Sequence, residues 1–372
     1  MRKESSIDWI LFGATIPLAL AGLSVLASFG GDERFFSRQI IWLCISIAAF
    51  FAASFIDWRF FRRTRFAFGA YLTSIVLLSV VAFSGATVKG AQSWFDFGAF
   101  SFQPAEFAKL ALIILLAKYF SRRHIEIAHI RHIVVSGAYA LMPFGLLLIQ
   151  PDFGSAVIVF LIWLGMVSLS GISKKHLALV FALGIAVFAG LWIFVFSDYQ
   201  KARVINFIHP LADVRGSGYN ALQSMIAVGS GEAFGKGVGY GTQSRLKFLP
   251  EYQTDFSFAA FAEEWGFAGA LALFALYGVV MWRLLVAAYT GATNFETLFA
   301  LGVSVFFTAH FLVNIGMNIG LLPVTGVTLP FLSYGGTHLL MEFVSLGIIM
   351  GLRRHARSAQ KELVQNEFVG VV

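Results

Sequence analysis

Four acids lie close together in the stretch FLPEYQTDFSFAAFAEEWG, residues 248–266: Glu251, Asp255, Glu263 and Glu264. A carboxylate within hydrogen-bond reach of a hydroxyl group can take its proton, which is the chemistry that an acid such as Asp255 could perform here. Eight positions separate Asp255 from Glu263. That spacing is roughly 12 Å along an α-helix, too far for Asp255 to pair closely with Glu263 or Glu264. We therefore expect the two later acids to have another role.

Asp255 also has a simpler interpretation. The residue precedes an apolar run, and either Thr254 or Asp255 could be the N-cap of the helix that begins there. A hydroxyl or carboxylate at that position accepts the free N–H groups and complements the helix dipole. From the residues alone the cap is the simpler interpretation, and it does not exclude catalysis.

A second candidate group lies in FQPAEFAKLALIILLAKYF, where Glu106 and Lys109 are three residues apart. On a helix this spacing puts both side chains on one face, where they can pair. The pair could be structural. An ionised lysine within a membrane span costs roughly 2.5–3.5 kcal/mol, however, and such a residue tends to face a cavity or an anionic ligand. Pro104 suits the first helical turn, which leaves Gln103 free to reach a ligand.

Two further polar sets fall within apolar segments. His310, Asn314 and Asn318 recur every four residues and form one stripe, which interhelical hydrogen bonding explains without chemistry. His338 and Glu342 are one turn apart and are most simply a buried pair. Two histidines on different helices do not make a zinc site without more ligands.

The stretch GSGYNALQSMIAVGSGEAFGKGVGYGTQS contains eight glycines between Gly216 and Gly241. No strand pattern precedes it, and it matches neither the dinucleotide-binding nor the P-loop motif, so we do not expect a nucleotide site. Its apolar middle, residues 219–228, predicts a short amphipathic or re-entrant helix at the outer interface.

The elements that must position these residues are membrane spans. The chain has 372 residues, of which 58% are hydrophobic and 13% charged, and a mean hydropathy of +0.78. This composition predicts an all-α polytopic membrane protein. About ten apolar segments are long enough to cross the bilayer: 9–30, 39–56, 66–86, 104–120, 133–150, 153–170, 177–197, 256–282, 295–322 and 330–352.

The span assignment leaves alternatives open at two places. The first span, uncharged from Trp9 to Gly31, follows cationic residues as a secretory signal does, but it is too long for a signal and is expected to be retained. The segments on either side of Gln150-Pro151-Asp152 could form one broken helix instead of two spans, although each is long enough for its own crossing.

The positive charges orient the spans. The net charge of +7 comes from short clusters between spans, which indicates membrane topology instead of nucleic acid binding. With ten spans both termini lie on one side, and that side collects Arg2, Lys3, Arg59, Arg62, Arg63, Arg65, Lys118, Arg122, Arg123, Arg131, Lys174, Lys175, Arg283, Arg353, Arg354, Arg357 and Lys361. The other short loops carry only Arg34, Arg38 and Lys89. Both termini are therefore predicted to be cytoplasmic, with a large extracytoplasmic loop, 198–255, between spans 7 and 8. Asp255 then faces outward.

Five stretches resemble one family: GAQSWFDFGAFSFQPAEFAKL (90–110), QPDFGSA (150–156), GYNALQSMIAVGSG (218–231), GKGVGYGTQSRLKFLPEYQTDFSFAAFAEEWG (235–266) and GLLPVTGVTLPFLSYGGTHLL (320–340). They are similar to the SEDS proteins of shape, elongation, division and sporulation, in the RodA/FtsW group and most like RodA. The likeness covers nearly the whole chain, which is expected to be a single integral membrane domain, 1–372, with a short cytoplasmic tail from residue 353.

The resemblance implies a ten-helix peptidoglycan glycosyltransferase that polymerises lipid II at the outer membrane face for cell-wall elongation and rod shape. It also implies a class B penicillin-binding protein as the transpeptidase partner, contact with membrane lipids and no nucleic acid. By position, Asp255 matches the essential acid of the family, and Lys109 and Glu106 match cavity residues. The sequence departs from the pattern at Ser93, where many members carry Arg, and at Gln253, where His is common.

These matches lead to a hypothesis of mechanism. Asp255 would accept the proton of an acceptor hydroxyl, and Lys109, with Arg203 as a weaker candidate, would neutralise the diphosphate of the leaving group. Mg²⁺ or Mn²⁺ could share that task, although the sequence contains no dedicated ligand cluster. Gln103, Glu106 and Asp152 lie near outer span ends and are expected to contact substrate. A lipid II flippase, a non-catalytic scaffold and a polymerase specific to division or sporulation remain alternatives.

Overall fold

The protein is described by a computed structural model over residues 7–28, 33–88, 91–98, 100–121, 130–171, 174–194, 218–246 and 248–369, with Lys201, Ile205 and Phe207. The apolar runs form helices, because a helix satisfies its own backbone where no water can. The described helices are α1 (Trp9–Ser28), α2 (Glu33–Phe55), α3 (Thr64–Ser84), α4 (Pro104–Ser121), α5 (Ile130–Ile149), α6 (Phe153–Leu169), α7 (Lys174–Phe194), α8 (Tyr219–Ser230), α9 (Thr242–Arg245), α10 (Ser257–Tyr289), α11 (Asn294–Asn318) and α12 (Gly336–Val369).

A helix overlaps each of the ten predicted spans. By length and apolarity six helical segments of the described residues are suited to cross a membrane: Trp9–Ser28, Arg34–Phe55, Thr64–Ser84, Arg131–Ile149, Ser257–Tyr289 and Asn294–Asn318. The chain is therefore a multi-pass membrane protein, and the number of ten crossings stays a prediction.

The chain around Gln150-Pro151-Asp152 forms two helices that pack against each other, α5 and α6. The two halves of a single kinked helix would not pack side by side, so the broken-helix alternative is wrong. Asp152 is the N-cap of α6, and its Oδ1 accepts the N–H of Ser155 at 3.0 Å.

Two predicted boundaries near the C-terminus are wrong. α11 ends at Asn318 and α12 begins at Gly336, so the chain between them is not helical, although spans were predicted to end at 322 and to begin at 330. Pro323 and Pro330 lack the N–H that a helix interior needs, which accounts for the difference. We call residues 319–335 the linking segment. Beyond residue 353, where a short tail was expected, α12 continues to Val369.

α10 is broken at Gly266, which has φ 65° and ψ −166°. The glycine-rich segment 231–241 fills the break: Phe267 N and Ala268 N donate to the carbonyls of Glu232 and Ala233, both at 2.9 Å. A Cβ at Gly235 would lie 2.0 Å from the carbonyl oxygen of Glu264, so the close approach requires glycine there. The glycines thus serve packing, and the predicted helix before them is α8.

A small antiparallel sheet links α3 to α4, with strands β1 (Ala86–Val88), β2 (Ala91–Asp96) and β3 (Ser101–Phe102) in the order β1-β2-β3. Helices α4 and α11 lie at the centre of the bundle, and almost every residue of α4 is buried. The buried polar residues of these two helices can therefore meet one another instead of lipid or water.

Candidate active site

Glu106 and Lys109 form the predicted pair in the first turns of α4, with Lys109 Nζ 2.7 Å from Glu106 Oε1. Their side chains are only 4% and 2% exposed. Pro104 is the first residue of the helix, as predicted. Burial of two charges is costly unless they are paired, and here each has its partner one turn away.

His310 of α11 approaches the same lysine, with its Nε2 3.4 Å from Lys109 Nζ. Its Nδ1 lies 3.0 Å from the carbonyl oxygen of Thr328. Because a carbonyl can only accept, Nδ1 carries the hydrogen and Nε2 offers its lone pair to the ammonium group. His310 is therefore a neutral acceptor that helps to hold Lys109.

His338 bridges two carboxylates. Its Nδ1 lies 2.9 Å from Glu106 Oε2, and its Nε2 lies 2.8 Å from Glu342 Oε1, where the contact is close but poorly aligned for a hydrogen bond. A ring between two carboxylates is expected to carry both protons. Two carboxylates then balance one ammonium and one imidazolium. We call Glu106, Lys109, His310, His338 and Glu342 the central network.

Three members of the central network could offer ligands to a metal: Glu106, His310 and His338 place one ligand atom each within 4.8 Å of the others. The sequence had shown only the two histidines, and α4 supplies the third group. Lys109 Nζ already lies between Glu106 and His310, where a divalent cation would have to bind. The like charge disfavours a cation, so these residues fit a buried ion network better than a metal site.

Asn314 and Asn318 continue the stripe of α11 toward Asp255. The Nδ2 atoms of Asn314 and Asn318 donate to the carbonyl oxygen of Asp255 at 3.0 and 3.1 Å, and Asn314 also donates to Val327 O at 2.7 Å. The interhelical hydrogen bonding predicted for the stripe is confirmed by Lys109 and by Ala259 N, and the stripe also bonds backbone carbonyls of non-helical segments.

Asp255 lies half-buried in a turn just before α10. The N-cap of α10 is Phe256, whose side chain makes no capping hydrogen bond, so the prediction that Thr254 or Asp255 is the N-cap residue is wrong. Asn318 takes over part of this function, because its Oδ1 accepts the N–H of Ala259 at 3.2 Å. On one side the carboxylate faces Gly326, where a Cβ would lie 3.5 Å from Asp255 Oδ2.

Other residues of the linking segment also fasten this turn. Ser333 Oγ donates to Thr254 O at 2.7 Å, and Tyr334 N donates to Gln253 O at 2.8 Å. The same segment supplies Thr328 O to His310 and Phe331 N to Glu342 Oε2. Sequence reasoning missed this role, although two prolines inside a hydrophobic stretch were the available signal.

Gln103 and Asp152 also meet, with Gln103 Nε2 3.2 Å from Asp152 Oδ2. Gln103 N lies 3.3 Å from Thr337 Oγ1, which ties the pair to the start of α12. The structure thus brings together Gln103 with Asp152, and Glu106 with Lys109, around the N-terminus of α4. Arg203 lies outside the described residues.

Glu263 and Glu264 have the separate role that their spacing predicts. Glu263 is fully buried, and its Oε1 accepts from Lys236 Nζ at 2.8 Å and from Gln243 N at 3.0 Å. Glu264 Oε1 accepts the N–H of Gly239 at 2.7 Å. Both acids anchor the glycine-rich segment to α10.

Residues 6–358 match the family model of cell cycle proteins that covers FtsW, RodA and SpoVE. Among curated proteins, the peptidoglycan glycosyltransferase MrdB of Escherichia coli strain K12 is 36% identical over 346 residues, which cover 93% of both chains.

Two solved structures show the same fold. A chain from a peptidoglycan synthase complex, described for its structural coordination of polymerization and crosslinking, aligns with a TM-score of 0.80 at 30% identity. It covers 94% of this chain and 98% of its own. The rod shape determining protein RodA of Thermus thermophilus aligns with a TM-score of 0.70 at 30% identity, over 94% of this chain and 97% of its own.

Proposed function

Because this chain belongs to the FtsW, RodA and SpoVE family and is a peptidoglycan glycosyltransferase, we propose that it polymerises lipid II with Asp255 as the general base. One observation carries the proposal: a single face of α11 contacts both Asp255, through Asn314 and Asn318, and Lys109, through His310. A base and a cation are thereby held on one side of one central helix.

The reaction joins the 4-hydroxyl of one disaccharide to the anomeric carbon of another, with departure of undecaprenyl diphosphate and inversion at that carbon. The hydroxyl proton passes to the Asp255 carboxylate as the new glycosidic bond forms. A single displacement of this kind needs one base and a group that stabilises the departing diphosphate.

Lys109 is the proposed partner of the diphosphate. Its ammonium group is now held by Glu106 and His310, so an arriving diphosphate has to compete with the Glu106 carboxylate. When Lys109 binds the diphosphate, the imidazolium of His338 remains beside the Glu106 carboxylate. This pairing lowers the free-energy cost of leaving a buried carboxylate without its lysine. Arg203 is a second candidate, and Gln103 with Asp152 is proposed to contact the substrate near the start of α4.

A flippase would need polar groups along a path through the bilayer. On the C-terminal side of Lys109, the α4 residues from Leu110 to Ala117 are all apolar and buried. This distribution favours a polymerase over a lipid II flippase, because the candidate residues gather near one end of the bundle.

We further infer a single domain of ten crossings in the bacterial cytoplasmic membrane, with both termini in the cytoplasm and residues 198–255 on the outer side. The supporting observation is the uneven distribution of Lys and Arg between the short loops. A class B penicillin-binding protein is the proposed partner, and elongation of the wall the proposed process. Support for the partner comes from the synthase complex that this chain resembles.

The test is polymerisation of lipid II by the purified protein, with and without a class B penicillin-binding protein. We expect Asp255→Asn to lose about 100-fold or more in rate, because the neutral amide cannot take the proton. Glu251→Gln, an acid in the same turn, is the matched control and should keep its activity. A folded Asp255→Asn variant that polymerises at the normal rate would falsify the assignment.

A further inference from the structure

Asn318 holds the catalytic turn at two points. Its Nδ2 donates to Asp255 O at 3.1 Å, and its Oδ1 accepts from Ala259 N at 3.2 Å. The amide thus spans the junction between the turn and the first helical residues of α10. Asn318 is fully buried, so water does not compete for either bond.

The orientation of this amide is itself supported. Asn318 Nδ2 also donates to Asn314 O at 2.8 Å, which engages both of its hydrogens. Ser224 of α8 approaches from the outer loop, and its Oγ lies 3.0 Å from Asn318 O and 3.2 Å from Asn318 Oδ1. Ser224 is fully buried as well.

These bonds connect three separate parts of the chain. α8 belongs to the long loop before span 8, Asn318 ends α11, and Asp255 precedes α10. The backbone carbonyl of Asp255 is fixed by α11, whereas its carboxylate lies beside Gly326. A shift of the turn would therefore move the carboxylate directly.

We propose that Asn318 is a positioning residue for Asp255, and that Ser224 of α8 orients the Asn318 amide, so that the outer loop takes part in placing the base. The inference rests on the proposed role of Asp255. A general base must lie within hydrogen-bond reach of its proton, and misplacement by about 1 Å can cost on the order of 100-fold in rate. Asn318 and Ser224 act on the rate without touching the substrate.

The experiment compares steady-state polymerisation by Asn318→Ala, Asn318→Asp and Ser224→Ala in the full chain with its class B partner. Asn318→Asp keeps the acceptor for Ala259 N but loses the donor to Asp255 O. We expect both Asn318 variants to lower kcat about tenfold or more with KM unchanged, since only the transition state loses stabilisation. Ser224→Ala should lower kcat about threefold, as the loss of one hydrogen bond implies.

Thr308→Ala is the control, because Thr308 is an exposed hydroxyl residue of the same helix whose Oγ1 lies 3.4 Å from Met281 Sδ of α10, away from the catalytic turn. A purely structural role for Asn318 as a helix cap predicts that Asn318→Asp restores kcat, which would overturn the proposal. So would a kcat within about twofold of the control for Asn318→Ala, or a loss that appears only in KM. If Asn318→Ala does not fold, Ser224→Ala decides by the same criteria.

Asp255→Asn is measured beside these variants. A normal rate in Asp255→Asn removes the proposed general base, whatever Asn318 does. An inactive Asp255→Asn with normal Asn318→Ala and Ser224→Ala leaves the base in place and overturns only the positioning role.

Discussion

Two groups of charged pairs among the described residues differ in burial, and the comparison separates structural charge from functional charge. The first group, which we call the helix-end pairs, has in each pair one member at or near an end of α1, α2 or α11: Asp8 with Arg283 and Arg353, Asp57 with Arg59, and Arg62 with Glu296. The second is the central network, in which no ion-paired side chain is more than 5% exposed.

In each helix-end pair water reaches at least one partner, and Asp57 and Arg59 are 41% and 37% exposed. Such pairs contribute little to stability. Burying ions in the interior carries a large desolvation cost, and a protein with apolar residues of similar volume in their place is often at least as stable. A protein that keeps five ionisable groups at its centre is therefore expected to use them.

The largest effect is expected from breaking the central network at Lys109. Lys109→Met leaves the buried Glu106 carboxylate with His338 alone, which should destabilise the protein by about 3–5 kcal/mol. Thermal unfolding of the detergent-purified protein measures the change. The double variant with Glu106→Gln should recover much of the loss. A decrease in Tm no larger than that of Asp57→Asn would remove the distinction between the two groups.

A smaller effect is expected at the edge of the network. Glu342→Gln keeps the acceptor for Phe331 N but removes one of the two carboxylates beside His338. Loss of this charge-assisted contact should lower the free energy of unfolding by about 1.5–3 kcal/mol. Thermal unfolding again measures the change. Equal stability of Glu342→Gln and the parent chain would show that His338 does not need its second carboxylate.

Asp8→Asn tests the most buried of the helix-end pairs, and we expect a loss of about 1 kcal/mol. Burial raises the pKa of Asp8, but the hydrogen bonds from Arg283 and Leu11 N and the charges of Arg283 and Arg353 outweigh it and hold the pKa below its ordinary value. The ion pair therefore stabilises the fold above pH 3.8 and ceases to do so as the pH falls through the lowered pKa. The Tm difference between the two proteins should be constant at neutral pH and shrink in acid. A difference that grows in acid would contradict this sign.

The smallest effect is expected for Asp57→Asn. Hydrogen bonds from the Arg59 side chain, against a smaller effect of burial, lower the pKa of Asp57 to about 2. The group is exposed, and an asparagine oxygen can still accept the N–H of Arg59. The free energy of unfolding should change by less than about 0.5 kcal/mol. A loss of stability comparable with that of Lys109→Met would mean that burial does not distinguish the helix-end pairs from the central network.

Local spacing was enough to predict part of the site. Glu106 and Lys109 are three residues apart, and a helix brings such neighbours together whatever surrounds it. The stripe of His310, Asn314 and Asn318 follows from the same periodicity. Hydropathy likewise located the helices, because membrane spans must be apolar over about 20 residues.

Long-range contacts could not be predicted in this way. His338 and Glu106 are 232 positions apart, and nothing in either local pattern indicates that one ring joins two carboxylates. The cap of α10 was assigned to the nearest polar residues, but the acceptor comes from Asn318 on another helix. The two ends of the linking segment, 319–322 and 330–335, were assigned to spans because their composition is apolar, and only the prolines indicated otherwise.

Because of its break, α10 depends during membrane insertion on a segment of the chain that is synthesised earlier. Around Gly266 the backbone N–H groups of Phe267 and Ala268 depend on acceptors that lie earlier in the chain, in the glycine-rich segment. That segment leaves the ribosome before α10 does, so its acceptors are available when α10 enters the bilayer. We expect deletion of residues 232–240 to yield a chain that is inserted but degraded, which pulse-labelling in cells would measure. A stable deletion protein would show that α10 completes its backbone bonding alone.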